Sequence, residues 1–148
     1  MSYYKALICL IITTSGSLTL AAEIPTEMMI RPTGTQPYRE NHEELVKLGE
    51  QLWNDKSLSR KGKNSCASCH KSNTRRFKKT FLESYPHEVK SLSNKSGLSS
   101  INAEQIVQFM MVAQMKNEVL PWESKELAAL TSYVVEVVQK QYIERRKK

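Results

Sequence analysis

Apolar residues recur at helical spacing in three separate stretches of the chain. These positions are Leu45, Leu48, Leu52 and Trp53, then Ile106, Phe109, Met110 and Ala113, and finally Leu127, Leu130, Val134, Val137 and Val138. Each stretch follows a residue that favours a helix N-cap, namely Asn41, Asn102 or Ser124. Glu44 and Gln105 stand where they would complete capping boxes. Because no strand pattern and no internal repeat is visible, the sequence predicts an all-α fold.

The segments between these stretches are polar or contain helix breakers. Residues 23–40 carry Pro25, Pro32, Gly34 and Pro37, which predict an extended N-terminal arm. Residues 54–65 and 71–100 are mostly polar, and the Leu120-Pro121-Trp122 sequence ends the middle helix. A chain of 148 residues suits one domain, which we place at 41–142, followed by a basic tail at 143–148.

The first residues resemble an export signal. Lys5 gives a positive start, residues 6–12 are apolar, and small residues near Ala21 and Ala22 fit a cleavage site. The apolar run is too short to cross a bilayer comfortably, which disfavours an uncleaved membrane anchor. We therefore predict a signal peptide at 1–22 and a periplasmic mature protein. Cys9 leaves with the signal, so the mature chain keeps two cysteines.

Both remaining cysteines lie in the motif Cys66-Ala-Ser-Cys69-His70. Cys-x-x-Cys-His is the attachment pattern of c-type haem. Its spacing places two thiols about one helical turn apart, within reach of the two vinyl groups of one porphyrin, and the adjacent imidazole becomes the proximal iron ligand. A zinc site would need more ligands than this chain offers at a familiar spacing. A redox dithiol or a structural disulfide is also less favoured, so we predict one covalent haem c.

The order of helices around this motif resembles a class I cytochrome c domain over residues 41–140. Gly49 with Trp53 in the first helix, and Tyr133 in the last, match the helix crossing of that family. The resemblance implies a small helical bundle around one covalently bound haem. Residues 48–55 and 65–70 also look like the haem-motif entry of bacterial dihaem cytochrome c peroxidases, which are much longer proteins.

The distal iron ligand departs from the usual class I pattern. Where class I domains often carry Met-Pro, this chain has Leu120-Pro121, and leucine cannot bind iron. A closer resemblance is to thiosulfate dehydrogenases and haem-thiolate sulfur-oxidation cytochromes, which have a ligating Cys, a Met, Leu-Pro, Ser-x-Glu and a Tyr in this order. The matching residues are Met110, Met115, Leu120-Pro121, Ser124-Lys-Glu126 and Tyr133. Met110 replaces the cysteine, so the resemblance implies Met110 as the distal ligand.

Other distal ligands stay open. They are Met115, Met111, His87, His42, and Lys78 or Lys79, besides an open iron site. A thioether cannot form the thiolate or persulfide that sulfur chemistry uses, and it raises the haem potential. We therefore predict a periplasmic one-electron carrier that is not an enzyme, with a role in sulfur-compound oxidation. The alternatives are a haem enzyme or enzyme subunit acting on sulfur oxyanions or peroxide, and a ligand-binding sensor.

The charge distribution adds a prediction about partners. The chain has 22 basic and 15 acidic residues, a net charge of +7. A run of basic residues without acidic ones surrounds the haem motif: Arg60, Lys61, Lys63, Lys71, Arg75, Arg76, Lys78 and Lys79. Such a field attracts acidic redox proteins, although a solvated loop would look the same. No nucleic-acid motif is present. The tail at 145–148 has the charge to touch anionic lipid without spanning a membrane.

Overall fold

The computed structural model describes residues 24–39, 41–70 and 76–147, so the predicted signal peptide lies outside the described residues. The helices are α1 (His42–Asn54), α2 (Cys66–His70), α3 (Lys90–Ser96), α4 (Ala103–Ala113), α5 (Lys125–Tyr133) and α6 (Lys140–Lys147). A π-helical segment, Val134–Gln139, joins α5 to α6 without a break. Among the described residues, extended backbone pairs only at the His87–Ile101 bridge. The predicted all-α fold is confirmed.

The helix starts follow the capping signals in the sequence. The Asn102 side chain accepts from the Gln105 N–H, and the Gln105 side chain accepts from the Asn102 N–H, which is a complete capping box. The Ser124 hydroxyl accepts from the Leu127 N–H at the start of α5. Asn41 caps α1 through the Glu43 N–H, one position earlier than the predicted box with Glu44.

Helices α1 and α5 form the main crossing of the fold, and Gly49 allows it. A Cβ atom on Gly49 would lie 2.2 Å from the Ala129 carbonyl oxygen and 2.5 Å from the Tyr133 Cβ. Only a residue without a side chain lets the two backbones approach this closely. Trp53, on the next turn of α1, packs into the same core with its ring 5.9 Å from that of Tyr133.

The N-terminal arm packs against the rest of the protein and contains one turn of 3-10 helix, Thr26–Met29. Met29 is buried in a second apolar cluster with Val89, Ile101 and Phe109. The Gln105 amide donates to the Met29 carbonyl oxygen at 2.9 Å. The arm therefore completes part of the core.

Arg31 ties the end of this packed region to two distant elements. Its guanidinium donates to the Trp122 carbonyl oxygen and to the Glu104 carboxylate of α4, each at 2.6 Å. It also lies over the Trp122 ring, 5.2 Å from the ring centre. One cation thus holds the arm, α4 and the loop before α5 together.

Segments that the sequence predicted to be polar connections or a tail contain helical turns and helices. Residues 76–100 contain a 3-10 turn, Lys79–Leu82, and helix α3. Helix α6 continues to Lys147, so most of the segment described as a basic tail is helical. Within the described residues, no helix has both the length and the apolar character needed to cross a membrane.

Candidate haem site

The Cys-x-x-Cys-His motif forms the short helix α2, and two serines fix its first turn. The Ser65 N–H donates to the Ser68 hydroxyl at 2.9 Å, and the Ser68 N–H donates to the Ser65 hydroxyl at 3.2 Å. Cys66 and Cys69 are both free, so they do not form the structural disulfide considered from the sequence. Burial raises the pKa of the Cys66 thiol to about 11, which keeps that thiol protonated at neutral pH.

His70 lies at the end of α2 between two aromatic rings. Its ring stacks on Phe77 with a centroid separation of 4.3 Å, and the Trp53 ring lies 5.7 Å away on a tilt. Burial, and secondarily the nearby Arg76 charge, lower the pKa of His70. The neutral imidazole that binds a metal ion is therefore the favoured form. The buried Nδ1 atom has no hydrogen-bond partner among the described residues.

A cavity of about 660 Å³ opens beside this motif, within the range of about 300–1,000 Å³ typical of cofactor sites. Cys66, Cys69 and His70 line one wall, and apolar side chains from α4 and α5 line much of the remainder. Among the described residues, the charged groups lining it are all cations, namely Arg76, Lys78 and Lys95. A haem is an apolar disc with two anionic propionates, so the residues present fit haem c. The thiol pair and the imidazole have the order that its covalent attachment requires.

The methionines predicted as distal ligands all lie in this same cavity lining. Met110 is half-buried on α4, Met111 is buried on the same helix, and Met115 is buried just beyond its end. The structure brings the three together with His70 in one cavity and does not select among them. Met110 as the distal ligand therefore stays a prediction.

Among the alternative distal ligands, His87 gains support from the structure. It is buried and lines the cavity, and its backbone pairs with Ile101 just before α4. Its Nδ1 atom lies 3.3 Å from the Ser84 carbonyl oxygen, which leaves the other ring nitrogen for a ligand. His42 is exposed at the start of α1 and is not among the cavity-lining residues; Lys78 lines the cavity, whereas Lys79 does not.

A buried glutamine, which the sequence analysis did not single out, fixes the loop after α4. The Gln108 amide donates to the Leu120 carbonyl oxygen at 2.7 Å and accepts from the Leu120 N–H at 2.8 Å. This pairing holds the position where class I domains often carry the ligating methionine. A fully buried amide in an otherwise apolar helix face was the available signal, because such a group needs partners.

Exposed basic residues lie in the cavity lining and in the loop before the haem motif. Besides the cations that line it, the loop before α2 carries exposed Arg60, Lys61 and Lys63. The Arg60 N–H donates to the Met115 carbonyl oxygen at 3.1 Å, which fixes this loop beside the methionine end of the cavity. Lys71 and Arg75 lie outside the described residues. We call Arg60, Lys61, Lys63, Arg76, Lys78 and Lys95 the basic rim.

The chain is similar to a known protein family over most of its described residues. The family model for di-haem cytochrome c peroxidase matches residues 43–142, more than half of the sequence. No curated protein and no solved structure matches. The prediction of a c-type cytochrome is confirmed, whereas the specific likeness to thiosulfate dehydrogenases stays a prediction.

The same match corrects one prediction. The matched family is a family of enzymes, so the prediction that the protein is not an enzyme is wrong, whereas the electron-carrier role stays a prediction. The physical reason is that a Cys-x-x-Cys-His motif attaches haem c whatever reaction the haem then supports. The local motif fixes the cofactor and leaves the reaction undetermined.

Proposed function

The chain belongs to the di-haem cytochrome c peroxidase family, and on that basis we propose that it is a haem c domain acting in the enzymatic reduction of hydrogen peroxide. The observation that carries the proposal is the cavity that unites Cys66, Cys69 and His70. Bound haem c supplies the redox iron at which one peroxide, two electrons and two protons give two waters.

The residues of α2 hold the group in this proposal. The Cys66 and Cys69 thiols add across the two vinyl groups to form thioether bonds, and His70 provides the proximal nitrogen. The sequence has one Cys-x-x-Cys-His motif, so the proposal assigns one haem to this chain, although the family is di-haem. The predicted haem attachment and the predicted export signal at 1–22 together favour a periplasmic site of action.

The basic rim supports a role in both haem binding and electron supply. Arg76, Lys78 and Lys95 line the cavity and would balance the propionate charges. The exposed lysines and Arg60 create a positive field around the cavity mouth, which favours an acidic protein as the electron donor. Such docking is expected to weaken as ionic strength rises.

The cavity residues other than His70 that could bind the iron determine how peroxide would reach it. An enzyme needs an exchangeable position, whereas two strong axial ligands favour electron transfer without binding. Three methionines and His87 line the cavity with His70. The proposal therefore requires that these residues would leave one position of the iron open, or would hold it only through a ligand that exchanges.

The test uses the exported, haem-loaded protein with peroxide and a one-electron donor. We expect peroxide consumption that ends when His70→Ala removes the proximal imidazole. The matched control is His42→Ala, which removes an exposed histidine away from the cavity and should leave turnover unchanged.

The outcomes separate peroxide reduction from the other functions. A haem that stays six-coordinate and does not react with peroxide in any oxidation state would refute the proposal. Thiosulfate, offered in parallel with an electron acceptor, tests the sulfur-compound function implied by the order of Met110, Met115 and Leu120-Pro121. Thiosulfate oxidation without peroxide turnover would favour that function instead.

A further inference from the structure

The π-helical segment between α5 and α6 places a glutamine side chain in the protein interior. Gln139 is the last residue of Val134–Gln139 and is only 7% exposed, while Lys140 directly after it is exposed. π-helical turns are rare and occur frequently at functional sites. A buried amide at this position needs hydrogen-bond partners, because an unpaired one would destabilise the fold.

Gln139 finds its partners in the 3-10 turn that follows the haem motif. Its side-chain nitrogen donates to the Phe81 carbonyl oxygen at 3.0 Å and to the Glu83 carbonyl oxygen at 2.9 Å. These residues are 58 and 56 positions away in the sequence. One amide group therefore fixes the turn Lys79–Leu82 against the C-terminal helix.

That turn carries a stack of rings that ends on His70. Phe81 stacks on Phe77 with a centroid separation of 4.4 Å and an interplanar angle of 6°. Phe77 stacks in turn on His70 at 4.3 Å and 21°. Tyr142 of α6 packs on a tilt against both phenylalanines, at 5.2 Å and 5.5 Å.

The ring stack has a particular importance for His70. Histidines that bind a metal are usually oriented by a hydrogen bond from their second nitrogen. The buried Nδ1 atom of His70 has no such partner among the described residues. Among the described residues, Phe77 makes the closer ring contact with the imidazole, at 4.3 Å against 5.7 Å for Trp53, and it therefore restrains the plane of the imidazole.

We propose that Gln139 is a positioning residue for His70, acting through the turn at 79–82 and the Phe81–Phe77 stack. The hydrogen bonds from Gln139 to the two carbonyl oxygens fix the turn, and the turn fixes the position of Phe81. The stacked rings then fix the plane of the imidazole. This inference rests on the role of His70 as haem ligand in the proposed function. Gln139 does not itself line the cavity and contacts its wall only through Phe81, so its effect on His70 would be indirect.

The test replaces the amide with a side chain of similar shape that cannot donate. In haem-loaded Gln139→Met, we expect the haem to stay attached while the electron paramagnetic resonance g-values of the ferric form shift and broaden. The midpoint potential should move with them, and amide exchange in residues 79–83 should accelerate. The matched control is Gln51→Met, an exposed glutamine of α1 that is not among the residues lining the cavities beside His70, which should change none of these.

A second variant keeps the test decisive if Gln139→Met does not fold. Phe77→Leu breaks the stack and leaves both Gln139 hydrogen bonds in place, so it should shift the same g-values. Faster exchange in Gln139→Met with unchanged g-values and potential would show a purely structural role and overturn the inference. Wild-type g-values in Phe77→Leu would also overturn it. A wild-type protein without haem would instead refute the proposed function itself.

Discussion

The crossing of α1 and α5 predicts that Gly49→Ala destabilises the protein. Alanine is normally the better helix former, by about 1 kcal/mol relative to glycine. Here its Cβ would lie 2.2 Å from the Ala129 carbonyl oxygen and 2.5 Å from the Tyr133 Cβ, against ordinary contacts of 3.4–4 Å. Both neighbours are close to the backbone of α5, so no flexible side chain can move aside.

The size of the effect follows from these opposing contributions. Overpacking a well-packed core costs about 1–3 kcal/mol, and a clash with a helix backbone belongs at the upper end. After the helix-propensity gain, we expect a net loss of about 2 kcal/mol in the free energy of unfolding. For a domain near 100 residues, each 1 kcal/mol lowers the melting temperature by about 4–8 °C.

Thermal unfolding of the haem-loaded protein, followed by circular dichroism, measures this loss. Gln51→Ala, on an exposed position of the same helix, is the control and should change the melting temperature little. The absorption spectrum should also change in Gly49→Ala, because α1 carries Trp53 into the wall of the cavity. A Gly49→Ala protein as stable as the wild type, or more stable, would refute the close helix crossing.

Three further predictions concern the cofactor site. His70→Ala should abolish stably ligated haem, because it removes the proximal bond; an unchanged absorption spectrum would contradict this. Met110→Ala should lower the midpoint potential and let carbon monoxide bind, whereas the same effects from Met115→Ala alone would move the distal ligand to Met115. In the haem-free folded protein, Cys66 should reach half-maximal alkylation near pH 11, against about 9.0 when unfolded, since burial raises its pKa. The folded state should correspondingly lose stability as the pH rises from about 9 to 11, because the unfolded chain releases that thiol proton first.

The parts of the fold that follow from local signals were predictable. Asn102 and Ser124 cap their helices as the sequence indicated, since capping depends on residues within one turn. Helix α3 was missed because Leu92 is its only apolar residue, so its sequence shows no hydrophobic periodicity. The valine-rich run at 134–139 has the pattern of an ordinary helix, so nothing in it distinguishes a π-helical segment.

The candidate site likewise has a part that the local sequence predicts and a part that depends on tertiary contacts. Cys66, Cys69 and His70 could be predicted as haem-binding residues because their chemistry depends on contiguous spacing, and that role stays a prediction. The distal wall depends on tertiary contacts, such as the bridge that brings His87 beside Ile101. A peroxide enzyme was predicted only as an alternative, because the residue types at the motif are shared by proteins with different reactions, and the match across residues 43–142 is what favours it.

The docking of the N-terminal arm has a consequence for the order in which the protein assembles. The arm binds elements that come much later in the chain: Thr26 bonds to Ser96, and Arg31 bonds to Glu104 and Trp122. The arm is therefore synthesised before its partners. These pairs are 70, 73 and 91 residues apart, so each closes a long loop with a large entropic cost. The described segment nearest the N-terminus thus finds its place among the last. Until then the apolar cluster around Ile101 and Phe109 stays uncovered, so in the proposed export the unfolded chain needs protection from aggregation on that side.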